Sequence, residues 1–243
     1  MMPSWITRRV DSAAQIIHAF TAEHTPYVSM SWGKDSMVLL WLVRRLGLTL
    51  PVIWFDGGLY DEHPDTAAFA QAVCEHWGIT MHIARPEIPL VEQWRRFGVP
   101  TGRATREDDA YTQQFVGALR RESERLGCDG ALLGMRGDES VVRRAFVFKR
   151  RGHTYYVQRD RTWHCSPLWN WSTSDVWTLI DDAHIPVHPV YRQTRFQRRE
   201  QIRLGVHAET AFAHWGSLAH FRHYYPHLWN QLCLEFPEVA SHG

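Results

Sequence analysis

The sequence predicts an α/β fold, a parallel β-sheet flanked by helices. Two observations lead there. Short apolar runs recur at Tyr27–Met30, Pro51–Phe55, Ile79–Ile83 and Gly130–Leu133. Between them lie longer stretches whose apolar residues fall at helical spacing. Strands joined through helices are crossover units, and crossover units pair in parallel.

Each element follows from its own residues. Asp11 to Glu23 carries Ala14, Ile17, Ala19 and Phe20 at helical spacing and reads as an amphipathic helix capped by Asp11 or Ser12. Tyr27–Met30 is a buried strand ahead of a glycine-containing turn. Asp35 to Leu46 is a helix that is apolar almost all round, from Met37 to Val43, which calls for deep packing, and Gly47 supplies its C-terminal cap. Pro51–Phe55 is a second buried strand ended by Asp56-Gly57-Gly58. Glu62 to Trp77 reads as a helix, Ile79–Ile83 as a third strand, Tyr111 to Leu126 as a helix and Gly130–Leu133 as a fourth strand. Phe146 to Val157 departs from this alternation: two β-rich runs around Arg150-Arg151-Gly152 predict a hairpin. Ser174 to Ala183 is helical. A domain boundary is expected near Tyr191, ahead of an Arg-, His- and Trp-rich extension over residues 192–243.

Composition narrows the function. The chain has 243 residues, 44% hydrophobic and 22% charged, which excludes global disorder. Net charge is +1, so no overall basic balance points to nucleic acid. From Arg143 to Arg203, however, twelve Lys/Arg face five Asp/Glu, a local excess suited to a polyanionic ligand. Cys74, Cys128, Cys165 and Cys233 stand far apart with no CxxC pair, the pattern of a reduced intracellular protein. The N-terminus carries charges where a signal peptide needs an apolar core, and no run is long enough to cross a bilayer. The expected location is cytoplasmic, with no membrane partner.

The chemistry centres on Ser31-Trp32-Gly33-Lys34-Asp35-Ser36, between a predicted strand and a predicted helix. A helix N-terminus offers free N–H groups and partial positive charge, so it binds phosphate. Gly33 lets the backbone approach an anion, Lys34 adds a full charge, and Ser31 and Ser36 add hydroxyl donors. Asp35 suits the first helical turn and is also a candidate to hold a metal ion indirectly. The segment matches neither G-x-x-x-x-G-K-[ST] nor G-x-G-x-x-G, which argues against a kinase-type P-loop and a dinucleotide fingerprint.

It resembles the SGGKDS signature of PP-loop ATP pyrophosphatases, with Trp32 in place of a glycine. The resemblance extends to the phosphoadenosine-phosphosulfate (PAPS) reductase family within the adenine nucleotide α-hydrolase superfamily. Val52 to Gly58 is similar to that family's second strand and Asp-Thr-Gly-like turn. Gly134-Met135-Arg136-Gly137-Asp138-Glu139-Ser140, followed by Arg143, is similar to its Gly-hydrophobic-Arg-x-x-Glu-Ser segment. Ser166-Pro167-Leu168, Trp171, Asp175-Val176-Trp177 and Ile185 to Tyr191 resemble its PL-x-x-W, DVW and IP-x-x-P-x-Y stretches. These motifs run in the family's order over about residues 25–192.

The resemblance implies a Rossmann-like (HUP-type) sheet of five parallel strands in the order 3-2-1-4-5, with a nucleotide-binding domain over residues 1–191 and a mainly helical C-terminal part. It implies that Ser31, Gly33, Lys34, Asp35 and Ser36 hold phosphates and that Asp56 and Gly57 lie near the adenosine or a metal. Lys34, Arg136 and Arg143 would carry catalysis by neutralising charge on the transferred group. A structural ion pair of Arg136 with Asp138 or Glu139 is the alternative. Trp171, Trp177 and Pro186 are expected in the core, and Asp175 as a helix cap. The implied cofactors are ATP or PAPS with Mg2+.

The family's redox parts are missing. Cys233 lies in Leu232-Cys233-Leu234-Glu235, where sulfite-forming relatives carry a Glu-Cys-Gly-x-His-like motif, and separate cysteines cannot supply an iron–sulfur set. The expected reaction is therefore ATP α-phosphate hydrolysis or adenylyl transfer with pyrophosphate release, in sulfur transfer or nucleic-acid modification. Sulfonucleotide reduction, FMN adenylylation and a non-catalytic nucleotide-binding subunit of a modification or defence complex are the alternatives. The Arg192–Arg203 stretch would meet a nucleic acid or protein partner, and exposed aromatics near the C-terminus suit a homo-oligomer. His207, His214, His220, His223 and His227 invite a metal reading, but Pro226 interrupts the one pair at helical spacing. His164-Cys165 is equally weak as a metal pair.

Overall fold

The computed structural model describes residues 3–99, 108–141, 143–204 and 217–242. In chain order the elements are α1 (Ser4–Glu23), β1 (Pro26–Met30), α2 (Lys34–Arg45), β2 (Val52–Phe55), α3 (Thr66–Trp77), β3 (Met81–Ala84), α4 (Leu90–Phe97), α5 (Asp108–Arg125), β4 (Gly130–Leu133), α6 (Lys149–Arg151), β5 (Thr154–Val157), β6 (Thr162–Cys165), α7 (Thr173–Ala183), α8 (Ser217–Tyr224) and α9 (Pro226–Glu235). A 3-10 turn (Gly137–Glu139) and a π-helical turn (Arg143–Phe148) lie between β4 and α6.

The strands form one six-stranded sheet in the order β3-β2-β1-β4-β6-β5. β1 pairs in parallel with β2 (Val28↔Val52) and with β4 (Val28↔Leu132), and β4 pairs in parallel with β6 (Ala131↔His164). The expectation of five parallel strands needs one correction. β6 takes the fifth place, and β5 adds an antiparallel strand outside it (Tyr156↔Trp163). The four residues between β5 and β6 allow only a tight reversal, so this pair cannot be parallel. The predicted hairpin is real but displaced: Phe146 to Lys149 is helical, and the ribbon spans Thr154–Cys165.

The chain divides into two compact units, each assembled from three stretches. The first takes in residues 1–54, 70–84 and 119–187. Its centre is α2, which packs against β1, α1 and α7, and this explains why Met37, Val38, Leu39, Leu40, Leu42 and Val43 are all buried. Gly47, at φ 68°, ends α2 with Leu48 N–H bonded to the Val43 carbonyl, a cap that favours glycine. α1 lays Ile6, Val10, Ala13, Ile17 and Phe20 along one face. It starts seven residues before the predicted cap; Asp11 and Ser12 sit mid-helix on the exposed face. The Phe20 ring approaches Gly130, where a Cβ would stand 2.7 Å away, so β4 starts on a glycine.

The second unit takes in residues 55–69, 85–118 and 188–243. Its core joins Tyr60, Leu90 and Trp94 to Leu218, Phe221, Trp229, Leu232 and Phe236. Trp94 meets Phe236 edge-on at 5.5 Å between centroids. Beside this lies a buried polar group: His63, His188 and His220, with Tyr225 donating to Asp65 at 2.7 Å. α3 begins at Thr66, four residues later than predicted, because Pro64 biases His63 away from helical geometry and a turn closes from Thr66 N–H to the His63 carbonyl at 2.9 Å.

Candidate functional site

The site begins where β1 stops. Ser31 and Trp32 carry the chain from Met30 to Gly33, the N-cap of α2. Gly33 is extended (φ −75°, ψ 166°), and no side chain caps the helix, so the first-turn N–H groups are not taken up by a capping oxygen. The left-handed position in the turn is Trp32, at φ 56°, with its indole fully buried. Ser36 Oγ donates to the Gly33 carbonyl at 3.0 Å and lies 3.3 Å from Ser31 Oγ, closing the loop on itself.

The charged side chains form a compact network. Asp35 accepts from Lys34 Nζ at 2.9 Å through one oxygen and from Arg136 Nε at 2.7 Å through the other. Arg136, at the carboxyl end of β4, is 1% exposed. Its fork also reaches the Trp171 carbonyl and Thr173 Oγ1, both at 3.3 Å, and Asp138 Oδ2 at 3.5 Å. Asp138 accepts in turn from Thr173 N–H at 2.9 Å. That backbone bond, helped by the Thr173 hydroxyl and Arg136, outweighs burial and holds the Asp138 carboxyl below its usual range. Glu139 accepts from Arg136 N–H at 3.2 Å and from the Arg143 guanidinium. Arg143 is one step removed from the network and keeps a third of its side chain exposed.

Gly134 brings β4 against this loop. A Cβ there would stand 2.9 Å from Ser36 N and 3.0 Å from the Asp35 carbonyl carbon, both backbone atoms with no freedom to give. Trp171 and Trp177 are buried, as expected of core residues, while Pro186 is half-buried. Asp175 serves the α7 cap: it accepts from Ser172 N–H at 2.7 Å, and Ser172 Oγ accepts from Asp175 N–H at 3.1 Å.

Of the residues singled out in the sequence, Ser31, Gly33, Lys34, Asp35, Ser36, Arg136 and Arg143 thus gather in the first unit. Asp56 and Gly57 belong to the second. There Asp56 accepts from Gly58 N–H at 3.1 Å and pairs with Arg85 at 3.4 Å. Gly57 has no room for a side chain, since its Cβ would stand 2.0 Å from Asp61 Oδ2. Sequence reasoning missed Thr173 and the Trp171 carbonyl, named Asp138 only as an alternative ion-pair partner of Arg136, and gave Gly134 no role beyond its place in the motif.

The thiols are quiet. Burial raises all four: Cys165 to about 11, and Cys74, Cys128 and Cys233 to lesser extents. Cys233 is half-buried against the aromatic core of the second unit. Among the described residues, no three His, Cys, Asp or Glu side chains are grouped to hold a metal ion. His207 and His214 lie outside the described residues. No helix among them is long and apolar enough to cross a membrane.

The family model described as the phosphoadenosine phosphosulfate reductase domain matches residues 25–224. A phosphoadenosine 5'-phosphosulfate reductase of Xanthomonas campestris is 27% identical over 180 residues, 72% of this chain and 70% of that protein. The phosphoadenylyl-sulfate reductase of Candida auris, solved with phosphate, superposes with a TM-score of 0.56 at 18% identity, covering 79% of this chain and 92% of its own. The FMN adenylyltransferase of Candida glabrata, solved with ATP, gives 0.52 at 13% identity over 78% of this chain and 59% of its own. At such identities these two structures show a shared fold.

Proposed function

The chain belongs to the phosphoadenosine phosphosulfate reductase domain family, and on that premise we propose that it binds ATP with the phosphates over Ser31–Ser36 and transfers the adenylyl group to an acceptor. The acceptor's nucleophile attacks the α-phosphorus, the bond to the bridging oxygen breaks, and pyrophosphate leaves. The observation that carries this reading is the uncapped N-terminus of α2, set directly after β1 with Lys34 in its first turn.

Each residue then has a task. The first-turn N–H groups hold phosphate oxygens, joined by the Ser31 and Ser36 hydroxyls once these rotate out of the bonds that close the loop. Lys34 turns from Asp35 to the incoming phosphates, where its charge counts most as negative charge develops. Arg136 has no exposed surface to offer a substrate, so it is a positioning residue: it fixes Asp35 and braces the loop from below. Arg143, partly exposed and steered by Glu139, supplies the accessible guanidinium. Asp35 already holds two cations and does not fit a magnesium ligand, so a magnesium ion accompanying ATP would be held by phosphate oxygens.

The raised thiols favour adenylyl transfer over sulfonucleotide reduction, because the thiolate is the nucleophile and burial suppresses it. Calorimetric titration with ATP plus Mg2+ and, separately, with PAPS tests the reading, with Lys34→Ala as control. ATP binding weakened at least about tenfold in Lys34→Ala is the expected outcome, the loss of one charge-assisted contact. Preference for PAPS would return the chain to sulfonucleotide chemistry, and binding of neither would sink the nucleotide reading.

A further inference from the structure

The β5–β6 ribbon lies at the open end of the sheet, away from the loop just described. Two of its aromatic residues are exposed, while Tyr155 is half-buried. Tyr156 and Trp163 are register partners on one face, 42% and 36% exposed, with ring centroids 5.6 Å apart. His24 lies 5.0 Å from Trp163 and is held by the Asp129 carboxylate at 3.0 Å, so the row ends there on an anion and phosphates must approach from the other side. A ribbon at a sheet edge that needed only to be soluble would carry charge or threonine at such a pair.

Cations flank the rings at both ends. Lys149, Arg150 and Arg151 of α6 precede β5, and Arg159 and Arg161 lie in the turn that follows it; all five are exposed. Arg151 lies over the Tyr155 ring at 5.7 Å, on the face opposite Tyr156 and Trp163, and Arg159 pairs with Asp160 at 2.8 Å, so the cations edge the ribbon on both faces. From Val141 to Asn170 the chain carries seven Lys/Arg and a single acidic residue, Asp160. At about 3.3 Å per strand residue, β5 separates its two cationic ends by on the order of 13 Å. A nucleic acid backbone can bridge that span while unpaired bases reach the rings between.

We propose that the β5–β6 ribbon with α6 is a docking surface for single-stranded nucleic acid. The cations take phosphates and Tyr156 and Trp163 take bases, the combination that binds unpaired strands without reading their sequence. Duplex, with its bases stacked away, could use only the charges. Resting on the adenylyl-transfer reading, this names the acceptor class as a nucleic acid.

The test is fluorescence anisotropy with a short labelled single-stranded oligouridylate, on the full chain, across a salt series. Binding is expected to weaken with salt at a log–log slope of roughly −0.7 per phosphate contacted. Tyr156→Ala, which leaves charge unchanged, is expected to weaken it about tenfold, the loss of one stacked base. Lys149→Ala/Arg151→Ala/Arg161→Ala is expected to flatten the slope. Circular dichroism and ATP titration of the same variants should match the parent protein, and Lys34→Ala should still bind the oligonucleotide, so the two readings fail separately. No binding at low salt overturns the proposal. So does binding indifferent to Tyr156→Ala, or an acidic peptide or heparin competing equally with and without that ring, since each leaves a bare cationic patch.

Discussion

Trp32 occupies a left-handed turn position where the family motif has glycine. A non-glycine residue there costs about 1–2 kcal/mol, whereas emptying a fully buried tryptophan site costs about 3–5 kcal/mol. Burial wins, so Trp32→Gly, although it restores the usual motif, is expected to lower stability by roughly 2–3 kcal/mol in urea unfolding. A stabilised variant would show that the indole packs poorly. The residue scale is also where sequence reading fell short. The position of Lys34 and its serines between a strand and a helix start was legible, because such a turn can be read locally. The fate of Arg136 was not. Arginine is rarely buried unless paired, and its partners, Asp35, Trp171 and Thr173, are remote in sequence. The alternative of an ion pair with Asp138 named one partner correctly and missed the more important one.

At the scale of elements, the approach of β4 to the start of α2 turns on Gly134. Gly134→Ala places a methyl against backbone atoms of Asp35 and Ser36. The expected result is a loss of about 1–3 kcal/mol in stability, as for other overpacked sites, together with weaker ATP binding by calorimetry. Unchanged values for both would mean that the two elements slide apart freely. Most strands and helices along the first 133 residues were legible from their periods, but α4 (Leu90–Phe97) was passed over, being only eight residues long, and the other errors lie where a local signal misled. Asp11 and Ser12 resemble a cap but ride the wet face of a longer helix. Phe146 to Phe148 has strand-like composition yet winds into a π-helical turn, a form that composition does not encode.

For the whole molecule, acid should act through the second unit. Burial holds His188 and His220 at about 4, with His223 adding to the effect at His220 and Asp65 opposing it at His188. The folded chain keeps both neutral, while the unfolded chain takes up protons below the ordinary histidine value. Stability is therefore complete above about pH 6.5 and is lost as pH falls towards about 4. Between about pH 7 and about pH 5 the two together should remove roughly 4 kcal/mol in urea unfolding; a flat profile would refute their neutral burial. The core beside them combines Tyr60, Leu90 and Trp94 with Leu218, Phe221, Trp229 and Phe236. On the ribosome the first set emerges long before the second, so Tyr60 and Trp94 must wait, uncovered, until the final helices have been synthesised. A nascent chain arrested near Tyr191 would thus present an unfinished apolar surface, and chaperones that bind such surfaces would find it there and not on the completed protein.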